Sequence, residues 1–334
     1  MYKNLVRTTI LAGAVFAATT AAAEWQPDHP INIIVPWSAG GSTDQVTRVI
    51  APILAEELGV AVVVINQPGA SGSIGTIAAL EAPRDGYTWT ANAIANNATY
   101  AITGLMENTS IEDYAVYLHV ANAPMVSVNP GSPYQDFGQL LEAMRGDDVI
   151  VGTAGINSSG GMALAAIREA AGGEFGARMV AYDGGNPAVI AAVSGEVVAT
   201  TQLAVEQTEM AKAGALRPLA VLSDTPLVVE GLAPVPPITD WLPNMVIAPD
   251  YFGVFIPAGA PQEVYDRIDA IWESRIMNSP ELQEYASARG AVFAPSYGAE
   301  AIARAMPVVI AEACARVTRG EAVIDPSEIG ISCE

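Results

Sequence analysis

Two stretches of the chain repeat one chemical design. Pro36-Trp37-Ser38-Ala39-Gly40-Gly41-Ser42-Thr43-Asp44 and Gly152-Thr153-Ala154-Gly155-Ile156-Asn157-Ser158-Ser159-Gly160-Gly161 each follow a short β-rich run and precede a helical pattern. Glycine lets the backbone turn sharply and bring its N–H groups close to a ligand. A helix N-terminus adds unpaired N–H donors and a partial positive charge. Together these hold an anion without Lys or Arg. Tight βα turns also use Gly and Ser for geometry alone, so one such loop is ambiguous; two in one chain point to an anion held between them. A third strand-to-helix turn, Tyr182-Asp183-Gly184-Gly185-Asn186-Pro187, carries an aromatic hydroxyl. Tyr182 and Trp37 each read in two ways, as ligand contacts or as core aromatics at a strand end.

Other chemistries find less support. No Gly-Lys-Ser/Thr triplet occurs, and the second loop lacks the dinucleotide pattern. Gly69-Ala70-Ser71-Gly72-Ser73 resembles a nucleophile elbow but ends in Ser rather than Gly. A serine hydrolase would also need a base, and the only histidines are His29 and His119. A zinc site needs three or four ligands at short spacing, which two histidines and two cysteines do not offer. Most acids, such as Glu56 and Glu57, fall on what should be solvated helix faces.

The elements that position these loops alternate. Ile31–Val35, 61–65, 88–94, 126–128, 148–152, 179–182, 197–201, 219–222 and 252–256 read as strands. Helical spacing fits Val46, Ile50, Ile53 and Leu54, then Ile77 and Leu80, then Leu164, Ile167 and Ala171. Ser42 with Gln45 three residues on predicts a capping box. Beyond a Pro-rich connection over 223–249, Val264, Ile268, Ile271 and Trp272 share one helix face. The stretch 299–317 is helical in period, with a kink expected at Pro307. Alternating strands and helices imply an α/β fold with mainly parallel sheets.

The 334 residues are 51% hydrophobic and 15% charged, enough for two α/β lobes with their own cores. Lys3 and Arg7, the uncharged stretch 10–18 and Ala21-Ala22-Ala23 read as a secretory signal over 1–23, with Glu24 opening the mature chain. The alternative is an uncleaved apolar N-terminal helix. No later run is long enough to span a bilayer. Loss of 1–23 removes two bases and no acid, moving the net charge from -21 to -23. Such a surface repels nucleic acid and anionic lipid, so an anion must be attracted locally. In an oxidising compartment Cys314 and Cys333 allow one disulfide; two free thiols are the alternative.

Taken together, these residues resemble the solute receptors of tripartite tricarboxylate transporters, the Bug-type receptors of Gram-negative bacteria. The resemblance runs from Trp25 to about Arg316. It is carried by 30–44, 66–75, Asp85-Gly86-Tyr87-Thr88, Gly152-Thr153-Ala154-Gly155, Tyr182-Asp183-Gly184-Gly185 and Phe255-Ile256-Pro257-Ala258-Gly259-Ala260-Pro261, in the family's order and spacing. It implies a two-lobed Venus-flytrap fold, with lobes 24–121 plus 249–334 and 122–248. It implies a periplasmic, monomeric receptor that passes a small carboxylate to membrane transporter subunits, with no cofactor, no nucleic acid and no enzymatic turnover. Carried over by position, Ser38, Ala39, Gly40 and Gly41 with Asp44 form the first-lobe cradle, and Trp37 and Ser71 are further candidate contacts there. Thr153, Ala154, Gly155, Ser158, Tyr182 and Gly184 face them from the second. A sensor's receptor and a secreted serine hydrolase are the competing readings. The chain departs from the family at Gly195-Glu196-Val197-Val198, where many relatives end the turn in Asp, and at Asp224-Thr225-Pro226, where an Arg is usual.

Overall fold

The apolar run Ile31–Val35 forms β1, and the chain then enters α1 (Ser42–Leu58), whose Val46, Ile50, Ile53 and Leu54 are buried against the sheet. The structure is a computed structural model and describes residues 25–146, 149–172, 175–247 and 249–333. The expected signal segment 1–23 lies outside the described residues. Next come β2 (Val62–Asn66), α2 (Ser73–Glu81), β3 (Thr88–Ala93), α3 (Ile94–Thr99) and β4 (Tyr114–Asn122). The chain then builds β5 (Met125–Val128), α4 (Phe137–Gly146), β6 (Ile150–Thr153), α5 (Ser159–Ala171), β7 (Arg178–Ala181) and α6 (Gly185–Ser194). β8 (Ala199–Thr200), α7 (Ala204–Lys212) and β9 (Arg217–Val221) complete this part. After a long connection follow β10 (Asp250–Pro257), α8 (Gln262–Ile271), α9 (Pro280–Arg289), β11 (Val292–Tyr297) and α10 (Gly298–Thr318).

Two sheets result, and they define the two lobes. The first has the order β11-β4-β10-β3-β1-β2, the second β7-β6-β8-β5-β9. Each has its own core: Trp89 and Trp272 are fully buried in the first lobe, Phe137 and Ile167 in the second. The expected two-lobed α/β fold is present, but the sheets are mixed rather than mainly parallel. β1 runs parallel to β2 and β3, and β6 to β7 and β8. Two of the antiparallel pairs join the strands on which the chain crosses between lobes. It leaves the first sheet on β4 and returns beside it on β10; it enters the second on β5 and leaves beside it on β9.

One further expectation changes. The Ser42 capping box is not formed: Gly41 is the N-cap, and Gln45 donates to Gly40 O at 2.8 Å instead. Ser42 Oγ accepts from Asn122 Nδ2 at 3.2 Å. The helical period over 299–317 is realised as α10, which holds Pro307 inside it. The Cys314–Cys333 bridge is formed, tying the end of the described chain to α10.

Candidate functional site

The two Gly-rich loops face each other across the lobe junction. Ser38 donates to Asp183 O from its backbone N at 3.0 Å and from Oγ at 2.9 Å. Gly184 packs so closely on this contact that an added Cβ would stand 2.8 Å from Ser38 N. Asn186 Nδ2 reaches Ala39 O at 3.5 Å. Gly155 lies at φ +104°, where an added Cβ would also collide with Ser71 Oγ. Ser71 itself takes a left-handed φ of +52°, and its carbonyl accepts from Tyr100 OH at 3.1 Å. Further bonds cross the junction from Asn96 Nδ2 to Asn157 O, from Asn157 Nδ2 to Thr103 Oγ1 at 2.8 Å, and from Ser159 Oγ to Asp250 Oδ2.

Several expected residues shape the loops from within. Asp44 accepts from Gly40 N at 2.9 Å, from Asn66 Nδ2 at 2.9 Å and from Arg48 Nη2 at 2.8 Å. Burial works against its ionisation, but these bonds outweigh it and hold the carboxyl below its usual range. Asp44 therefore clasps the first loop. In the second, Thr153 Oγ1 accepts from Gly155 N at 3.1 Å, and Ser158 caps α5 by accepting from Gly161 N at 3.0 Å. Trp37 donates from Nε1 to Asn92 Oδ1 at 2.9 Å, in a buried amide cluster with Asn97 and Tyr100. Tyr182 donates its hydroxyl to Glu196 at 2.8 Å, which fixes it to the exposed turn after α6.

Between the loops lies a cavity of about 20 Å³. Ser42 and Thr43 open α1 there, Ser158 and Ser159 open α5, and Gly185 opens α6, so three helix N-termini converge on it. Ala154, Gly185 and Trp37 line it, with Gln202, whose amide, turned so that its oxygen faces the Ala154 N–H, donates to Glu206 Oε2 at 3.2 Å. Among the described lining residues the single charged group is Glu206. It reaches from α7 in the second lobe to accept from Ser42 N in the first, at 2.7 Å, and accepts from Leu203 N at 3.2 Å. Burial pushes its carboxyl up to about 7, against the pull of these two N–H bonds. On the far side of Ser159 a larger cavity of about 360 Å³ opens between α5 and α10, walled by Met162 and Met245 and reaching Asp250. Asp250 is 5% exposed, its Oδ1 has no partner, and burial pushes it up to about 7.

The sequence reading missed Glu206, Gln202, Asn96, Asn157 and Asp250. A signal existed for the amides: Asn92, Asn96 and Asn97 interrupt an apolar run and are buried. His119 lies inside β4, 1% exposed, with both ring nitrogens unpartnered; burial lowers it to about 3 and keeps it neutral. No hydrogen bond joins it to Ser71 among the described residues. Nor do the described residues hold a group of three His, Cys, Asp or Glu able to bind a metal, or a helix long and apolar enough to cross a membrane.

This architecture, two α/β lobes closed on helix N-termini, is that of a periplasmic binding protein. Residues 46–301 match the tripartite tricarboxylate transporter family receptor, TctC, and the chain belongs to that family. BugT of Bordetella pertussis is 31% identical over 277 residues, covering 78% of this chain and 82% of that protein. The periplasmic binding protein BugD shares the fold with a TM-score of 0.78 at 24% identity, over 89% of this chain and 99% of that one. MatC of Rhodopseudomonas palustris with bound malate does so with a TM-score of 0.74 at 22% identity, over 88% and 97%.

Proposed function

We propose that this protein is an extracytoplasmic solute receptor that closes its two lobes on a small carboxylate and delivers it to a tripartite membrane transporter. The observation that carries this reading is the convergence of the α1, α5 and α6 N-termini on one inter-lobe cavity, where a carboxylate, Glu206, already accepts from the Ser42 N–H. A helix N-terminus that binds an internal carboxylate has the donors to bind an external one. The family membership and the malate bound by MatC support the ligand class.

In this reading the chain is exported to the periplasm by 1–23 and works as a monomer without a cofactor or turnover. Lobes 24–121 plus 249–334 and 122–248 move against each other. Trp37, Ser38 to Gly41 and Ser71 supply the first jaw, held in shape by Asp44. Thr153 to Gly155, Ser158, Tyr182 and Gly184 supply the second. A thermal-shift screen of carboxylates on the mature protein, followed by calorimetry, tests it. A ligand at about 100 times its dissociation constant should add roughly 2.7 kcal/mol of stability. A screen in which no carboxylate shifts the melting point defeats the proposal.

A further inference from the structure

The carboxylate in the cleft belongs to the protein. Glu206 and Ser42 sit on opposite lobes, and their 2.7 Å bond occupies the first N–H of a 17-residue helix. The cavity beside them, about 20 Å³, admits little more than one water molecule. Any carboxylate ligand therefore enters only when the lobes part, and parting them breaks the Glu206–Ser42 bond. When the lobes close again on a ligand carboxylate at the α1 N-terminus, Glu206 returns with the second jaw and faces it.

We propose that Glu206 determines which carboxylates the receptor accepts: it surrenders the α1 N-terminus to the ligand's carboxylate and then accepts a hydrogen bond from a hydroxyl or ammonium on the same ligand. The site thereby favours a carboxylate with one negative charge and an adjacent donor, and disfavours a dianion. This rests on the carboxylate-receptor reading above.

The surrounding charges leave Glu206 to act alone. Asp44 and Arg48 on α1 are paired with each other at 2.8 Å, and Glu209 and Lys212 on α7 at 3.4 Å. On α9, Arg289 donates to Gln45 Oε1 at 3.0 Å, and burial keeps the Tyr285 phenol protonated. Asp183 stands before α6 and receives both Ser38 bonds at its backbone. No Lys, Arg or His lines the cavity among the described residues, so nothing there neutralises a second ligand charge. A dianion is left with protonation of Glu206 as its way in, and that carboxyl already sits near 7.

The test compares wild type with Glu206→Gln, which keeps the size and an oxygen for the Ser42 N–H but loses the charge. The probes are malate and lactate, measured by calorimetry at pH 6 and pH 8. In wild type, malate should bind more tightly at pH 6 than at pH 8, and lactate should outbind malate at pH 8. In Glu206→Gln, malate affinity at pH 8 should rise at least tenfold and lose its pH dependence. Equal malate affinity and equal pH dependence in the two proteins overturns the assignment while leaving the receptor reading intact. Failure of both proteins to bind any carboxylate overturns the receptor reading, and this one with it. Small-angle scattering of the ligand-free proteins adds an arm that needs no ligand. Glu206→Ala should be more open than wild type at pH 8, and an unchanged radius of gyration counts against the inter-lobe bond.

Discussion

Ser38 gives both of its donors to the one carbonyl of Asp183, so a single peptide oxygen of the second lobe anchors the first Gly-rich loop. Removing the hydroxyl in Ser38→Ala deletes one neutral hydrogen bond, about 1 kcal/mol and roughly a fivefold loss of the closed state. Gly184→Ala goes further, because its methyl group would meet Ser38 N at 2.8 Å. Both variants should fold with wild-type circular dichroism yet scatter as a more open particle, Gly184→Ala the more strongly. A closed Gly184→Ala protein would show that this contact does not govern closure.

Gly155 faces two constraints, a left-handed φ of +104° and the hydroxyl of Ser71 where a Cβ would stand. Gly155→Asp adds a carboxylate and a steric block at the same point, and Gly40→Asp does so at φ +81° against Asn186. Each should abolish carboxylate binding while the lobes stay folded. Calorimetry after a circular dichroism check decides it. Wild-type affinity in either folded variant would reduce that loop to a turn.

Asp250 makes stability depend on pH. Its folded carboxyl is raised to about 7 from a reference of 3.8. Between those values the folded chain holds a proton that the unfolded chain releases, so this contribution favours folding at acid pH and fades as pH rises toward 7. Glu206, raised to about 7 from 4.5, acts in the same sense. Asp250→Asn should therefore melt higher than wild type at pH 8 and show a flatter melting profile from pH 5 to 8. A profile as steep as that of wild type would remove Asp250 as the cause.

The disulfide closes a 19-residue separation, for which loop entropy suggests ~3 kcal/mol. Cys333→Ser should lower stability by that order in urea denaturation. Hydrogen exchange should speed up at Val323, whose N–H bonds Ile102 O at 2.8 Å. Non-reducing mass spectrometry of exported protein should recover the two cysteines in one linked peptide, and freely alkylated thiols would contradict it.

His119→Ala should leave carboxylate affinity within about twofold, since the ring touches no cleft residue by hydrogen bond. Its cost is packing: emptying a buried site on β4 should cost roughly 1–3 kcal/mol. If the mature protein turned over an ester and this variant did not, the hydrolase reading would return.

Much of this was legible in residue order. The β1 and β10 runs stand out because buried strands are mostly apolar, whereas β3, TWTANA, is marked by its β-branched and aromatic residues. The paired loops declared themselves by Gly, Ser and Thr ahead of helical spacing. β4 is less legible, although eight of its nine residues are buried, because His119 and Asn122 interrupt its apolar pattern. β11 was hidden by Pro295; it lies on a sheet edge, where the ladder skips from Phe293 to Ser296 and a missing N–H is tolerated. Glu206 was beyond local reading. With Glu209 and Lys212 it looks like one face of a solvated helix, and only the packing of one lobe on the other decides which of these acids is enclosed. The same packing replaced the Ser42 capping box with a partner from a distant part of the chain.

The position of β10 has a consequence for how the molecule is born. It fills the middle of the first sheet, between β3 and β4, yet it follows the whole second lobe in the chain. A polypeptide emerging N-terminus first completes β5 to β9 while β3 and β4 still present bare edges to each other. The second lobe can therefore mature as a unit, whereas the first waits for 250–257 to zip its halves together. The Gly-rich loop at 37–44, made first, gains its finished support last. A chain cut short before β10 would carry a finished second lobe beside a β4 bare on both sides and a β3 bare on one, the kind of species that quality-control proteases and aggregation remove.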